Sequence, residues 1–181
     1  MVSSSIGDTH LALGDRNLIK KWLSTLLAGA SLSTSASPQQ TYAVGNISIM
    51  LPAGWQLVES SEDKLVFRTK DNHQHATITV MHFGVSANFE DFKLLCEARF
   101  KAERMAITDG YIEPDTPAPV KDGDTFWMFY SGGERKSHRL FTGYLSLKQK
   151  ELLTIYIEGI GVPMSDLVQS FKAFLDGAKR R

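Results

Sequence analysis

Between Asp124 and Glu158 the chain carries three runs rich in aromatic and β-branched residues. They read Thr125-Phe-Trp-Met-Phe-Tyr130, Arg139-Leu-Phe-Thr-Gly-Tyr-Leu-Ser146 and Leu152-Leu-Thr-Ile-Tyr-Ile-Glu158. Asp122-Gly123 precedes the first run, Gly132-Gly133 follows it, and a charged tip from Lys148 to Glu151 separates the second from the third. Links this short make consecutive strands antiparallel neighbours, so the segment reads as a three-stranded meander. Its first strand is apolar on both sides, with Phe126, Met128 and Tyr130 on one and Trp127 and Phe129 on the other. A strand of that kind needs cover on both faces of its sheet.

Two segments have the periodicity to supply it. From Asn88, a capping residue followed by Glu90 and Asp91, the residues Phe89, Phe92, Cys96 and Phe100 fall on one helical face. This helix should fray near Met105 and stop by Asp109-Gly110. A second helix starts at Pro163 and Ser165, carries the stripe Met164, Leu167, Val168, Phe171, Phe174 and Leu175, and ends at Gly177 with Lys179-Arg180-Arg181 beside its negative terminus.

The remaining strands are read from alternation. Tyr42 to Pro52 is one strand, with Ile47, Ile49 and Leu51 on the buried side, stopped by Pro52-Ala-Gly-Trp55. Trp55 to Val58 resumes as a short strand. Lys64 to Thr69 follows, and Ala76, Ile78 and Val80 alternate within Ala76 to Phe83. Tyr111 to Val120, with Pro114, Pro117 and Pro119, is an extended edge segment. The fold class expected is α+β: an antiparallel sheet of about six or seven strands flanked by two main helices, in the order β-β-β-α-β-β-β-β-α.

The 181 residues suffice for one domain with a real core. Formal net charge is zero, and no basic, aromatic-studded stripe is present, so nucleic acid is not an expected partner. No apolar run approaches the roughly 20 residues of a membrane span. Residues 1–36 differ in composition: Lys20-Lys21, then the apolar stretch Trp22 to Leu32, then small residues to Ala36 have the three parts of a secretory signal. A start downstream of Met1 would shorten its long lead. The expectation is a signal peptide, a linker at 37–41 and one domain over 42–181, exported to the periplasm; the alternative is a disordered cytoplasmic lead. Cys96 is the single cysteine, so no internal disulfide can form, and on an apolar helix face it acts as a small hydrophobe.

Candidate sites are few. Asp71, His73 and His75 could point two imidazoles and a carboxylate one way on an extended segment, a metal-like spacing, but with no further ligand in sequence a solvated hairpin turn is the preferred reading. His82 reads as a satisfied, half-buried imidazole at a strand end, and His10 lies in the lead. There is no Gly-x-Ser-x-Gly, and Ser131-Gly-Gly133 and Gly159-Ile-Gly161 read as turns. No catalytic set and no cofactor are implied. The segment Gly132 to Arg139 reads as a flexible basic tip, and Glu134, Arg135, Lys136, His138 and Arg139 are the candidate partner-binding residues.

The sequence Tyr42, Ile47-Ser-Ile-Met-Leu-Pro52, Gly54-Trp55, then Leu65-Val-Phe67 and Ile78-Thr-Val80, resembles the start of PsbP-like domains, which include the bacterial DcrB-like proteins. Element order from residue 42 onward is similar. The resemblance implies an α/β/α sandwich and a non-catalytic binder. The functional expectation is an exported protein-binding domain, most specifically an immunity-type protein against a secreted toxin or effector. A DcrB-like chaperone, or a small-ligand or metal binder, are the alternatives.

Overall fold

The computed structural model describes residues 40–114 and 118–181. The expected signal peptide at 1–36 and most of the linker, together with His10 and Pro117, lie outside the described residues. The strands are β1 (Thr41–Val44), β2 (Ile47–Met50), β3 (Trp55–Ser60), β4 (Lys64–Thr69) and β5 (Gln74–His82). Helix α1 (Phe89–Ala106) follows, then β6 (Gly110–Pro114), β7 (Val120–Asp122), β8 (Thr125–Glu134), β9 (Arg139–Lys148) and β10 (Glu151–Ile160). Helix α2 (Met164–Gly177) and β11 (Ala178–Arg180) close the order. The described strands form an eight-stranded antiparallel sheet, β3-β4-β5-β10-β9-β8-β6 with β7 also on β8, and a three-stranded sheet, β1-β2-β11.

The expected meander is the middle of the large sheet. Each face of β8 is covered by a different helix. Phe126, Met128 and Tyr130 belong to an apolar cluster with Phe92 and Cys96 of α1. Phe129, on the other side, lies 5.9 Å from the Phe171 ring of α2. That second cluster takes in Ile78 and Val80 of β5, Leu153, Ile155 and Ile157 of β10, and Ile47 and Ile49 of the small sheet. Helix α1 begins as expected: the Asn88 side chain accepts from the amides of Glu90 and Asp91, and Asp91 accepts from the Asn88 amide. It ends at Ile107, which turns extended, and Gly110 opens β6 instead of capping the helix.

Four local expectations are corrected. Tyr42 to Pro52 is not one strand. Gly45 takes φ +50° and, with Asn46, turns β1 back onto β2, pairing Val44 with Ile47. Gly132-Gly133 is not a turn, and the ladder runs through both glycines to Glu134. The reason is the register. Gly132 pairs with Phe141, and Gly143 pairs with Tyr130. A Cβ at either glycine would collide with the ring lying across it. Two aromatic rings on one face of neighbouring strands thus each need a glycine opposite. Lys179-Arg180-Arg181 does not continue as a tail beside the helix end. Ala178 to Arg180 pairs with β2, and Arg180 reaches the buried Glu151 at 3.4 Å. Finally, the His82 side chain is exposed, its Nδ1 3.9 Å from Glu151.

Candidate binding surface

The turns β4–β5 and β8–β9 are far apart in sequence but lie at the same end of the sheet. The link is β10. The Ile160 amide donates to the His73 carbonyl at 3.0 Å, and the Gly161 amide donates to the His138 carbonyl at 3.0 Å. The two sequence-predicted clusters therefore flank the end of one strand.

In the first cluster, Asp71 closes a turn. Its Oδ1 accepts from the Thr69 hydroxyl at 2.5 Å and the His73 amide at 3.1 Å, while Asn72 takes φ +64°. The Thr69 hydrogen bond, with that of the His73 amide, holds the Asp71 carboxyl below the usual range. His73 is exposed and His75 half-buried. Among the described residues no group of three or more His, Cys, Asp or Glu is placed to hold a metal.

In the second, the turn itself is only residues 135–138, and it is pinned rather than floppy. The Arg135 amide donates to the Asp109 carbonyl at 2.7 Å, and the His138 amide to the Arg135 carbonyl at 3.2 Å. Glu134 accepts from the Ser137 hydroxyl at 2.8 Å and the Thr108 hydroxyl at 2.9 Å, which lowers its pKa. Arg139 turns onto the α1 face of the sheet, where it meets Glu158 at 3.4 Å and lies over the Phe141 ring. Arg135, Lys136 and His138 are exposed.

Cations outnumber available carboxylates at this corner, where the Asp109 side chain has no partner among the described residues. Asp71, Glu134 and Glu158 are engaged locally, Glu158 also by the Tyr156 hydroxyl at 3.3 Å. The side chains of Arg68, Lys70, Arg135 and Lys136 have no hydrogen-bond or ion-pair partner among the described residues. Arg68 joins the corner through register: it pairs with His75, and His75 pairs with Glu158. Sequence reasoning missed Arg68, because nothing local in Lys64 to Thr69 distinguishes it from an ordinary solvated strand residue.

Beneath α1 the same face carries a polar ladder that the sequence did not announce. Arg139 lies over Phe141, Phe141 stacks on Tyr156 at 5.7 Å between centroids, and Arg99 lies over Tyr156 at 5.8 Å. Arg99 also pairs with Glu103 on its own helix. Among the described residues the buried Tyr130 hydroxyl has no hydrogen-bond partner of good geometry, and neither has Nε of Arg99 or Nε of Arg139. Burial pushes the Tyr130 hydroxyl up to about 12, against the pull of the nearby Arg99 charge. Burial likewise raises Tyr156, and it lifts the Cys96 thiol to about 12, which leaves that sulfur a poor nucleophile.

Helix α1 packs on β6 and β8, and among the described residues no helix packs on the β4–β5 half of this sheet face. Val66, Thr77, Thr79 and Thr154 are half-buried there, and Met81 at the end of β5 is 56% exposed.

No family model matches the chain. No curated protein matches it in sequence. Among solved structures, cyanobacterial PsbP (CyanoP) from Synechocystis sp. PCC 6803 is similar at 12% identity and a TM-score of 0.60, over 84% of this chain and 98% of that one. LpqN, involved in cell envelope biogenesis of Mycobacterium tuberculosis, aligns at 13% identity and a TM-score of 0.47, over 79% of this chain and 85% of that one. The fold is that of the PsbP-like proteins, a large antiparallel sheet with two helices and a small accessory sheet.

Proposed function

We propose that this chain is an exported, non-catalytic protein-binding domain that uses the basic corner to hold an acidic surface of a protein partner. The observation that carries this reading is the convergence of the β4–β5 and β8–β9 turns on the end of β10, which gathers four unpaired cations and three histidines around three carboxylates already engaged. A pinned turn presents its charges with little ordering cost, and arginine favours bidentate contacts with carboxylates. Its specific form is an immunity-type protein that covers a toxin or effector acting in the periplasm.

The experiment is a binding measurement against the product of a neighbouring toxin gene. The double variant Arg135→Glu with Lys136→Glu should weaken the complex by more than about tenfold and reduce or reverse the loss of affinity with added salt. Unchanged affinity removes the corner from the interface. Amino-terminal sequencing of the protein from fractionated cells tests export, which predicts a mature start near residue 37.

A second reading, a DcrB-like chaperone for a secreted effector, is favoured by the unroofed half of the α1 face and the exposed Met81. It predicts residence in the cytoplasm and a Met81→Asp variant that no longer keeps an apolar client soluble.

A further inference from the structure

Two recesses lie side by side between α1 and β6. One, about 300 Å³, is lined by Arg104, Ile107, Gly110, Tyr111, Ile112 and Glu113. The other, about 330 Å³, is lined by Phe100, Lys101, Arg104, Ile112 and Pro114. Arg104 and Ile112 belong to both, so the recesses form one groove. Its floor is apolar: Ile112 is buried, and Phe100 and Ile107 pack against the same cluster. Its rim carries two cations against one carboxylate, Glu113. Lys101 and Arg104, three residues apart on one helix, are both exposed, and neither side chain has a partner among the described residues.

The recesses are offset along β6: one runs from Gly110 to Glu113, and the other takes in Ile112 and Pro114. Two residues of strand span roughly 6.8 Å, which is also the spacing of same-face side chains on any extended peptide. The groove ends next to the basic corner, because the Arg135 amide is bonded to the carbonyl of Asp109, one residue before β6.

We propose that this groove receives an extended acidic segment of the partner protein, with apolar side chains at positions i and i+2 seated one in each recess and flanking carboxylates on Lys101 and Arg104. The charge of the rim selects an acidic peptide, and the offset of the recesses selects the alternate spacing. This rests on the reading of the chain as a protein-binding domain, and it names the chemistry of what is bound.

The test is an amide NMR titration of the full chain with a capped Glu-Leu-Glu-Leu-Glu peptide. Two controls accompany it: a peptide with its leucines three apart, and decanoate. Saturable shifts should map to residues 100–107 and 110–114, the three-apart peptide should bind about fivefold more weakly, and Arg104→Glu should weaken binding about tenfold. Arg104 is exposed, so this variant keeps the fold, and Lys101→Glu serves as a second. No saturable shifts up to about 5 mM, equal affinity for both spacings, or binding of decanoate alone would each overturn the proposal. If the peptide shifts only residues 135–139, the groove is ruled out while the basic corner stands.

Discussion

On one face of the large sheet Phe174 of α2 sits edge-on to Trp55 at 4.8 Å and against Phe67 at 5.4 Å, and all three are buried. On the other face α1 holds Phe92 and Cys96 fully down, while Arg99, Glu103 and Phe100 stay partly open above Tyr130 and Tyr156. The first face is mostly apolar, with Gln74 Oε1 its one orphaned polar atom among the described residues, and it is closed further by the small sheet. The second mixes rings with three orphaned donors and is roofed over only part of its width. An orphaned buried donor costs about 1–3 kcal/mol, whereas a buried phenylalanine contributes roughly 1.5–3 kcal/mol. The α2 face therefore stabilises the fold, and the α1 face is the one with polar groups to offer.

The contrast is sharpest for truncation. Phe174→Ala should cost about 3–5 kcal/mol in denaturant unfolding, and Phe100→Ala about half that, because Phe100 is only half-buried. Equal losses would erase the distinction between the faces.

Next in size is alkaline destabilisation, which originates on the α1 face. Tyr130 titrates at 10 when unfolded and at about 12 when folded, so between those values the unfolded chain has released the proton and the native state still holds it. Stability is therefore fully present below pH 10 and falls as pH rises to 12, by about 1.4 kcal/mol per unit from this group. Tyr156 and Tyr144 are raised as well and act in the same direction. In Tyr130→Phe the slope measured by urea titration at each pH should drop by that share. At neutral pH the same variant should stabilise the fold by about 1–3 kcal/mol, since the buried hydroxyl it removes makes no good hydrogen bond. A loss above 1 kcal/mol would show that the hydroxyl is satisfied.

Gly143→Ala should cost about 1–3 kcal/mol by forcing the Tyr130 ring off its strand, with a clear coupling energy in the cycle with Tyr130→Ala. The smallest effect belongs to the ion pair at the border of the α1 face. Arg139 and Glu158 are 25% and 30% exposed, and a double-mutant cycle should give no more than about 1 kcal/mol of coupling.

What was legible from the residues follows a physical pattern. The two-sided β8, the buried alternation of Ala76, Ile78 and Val80, and the Asn88 cap were all readable, because period and capping are written within a few residues of each other. Gly132-Gly133 misled because a glycine pair is a turn signal in isolation, and it becomes strand interior only with Phe141 across from it. The candidate site was half legible. His73, His75 and the 134–139 segment were visible as clusters, but their juxtaposition depends on two backbone bonds to β10.

The sequence by itself determined the two helices and the centres of the core strands, though not all their ends, and that β8 must be roofed on both sides, since side-chain periodicity acts over a few residues. The tertiary structure alone decided that the chain end joins β2, that α1 roofs half a face and that two distant turns share one corner. Those depend on which segments meet across a sheet, and the complementarity that selects them, a ring against a glycine or a carboxylate beneath an arginine, is divided between residues far apart in the chain.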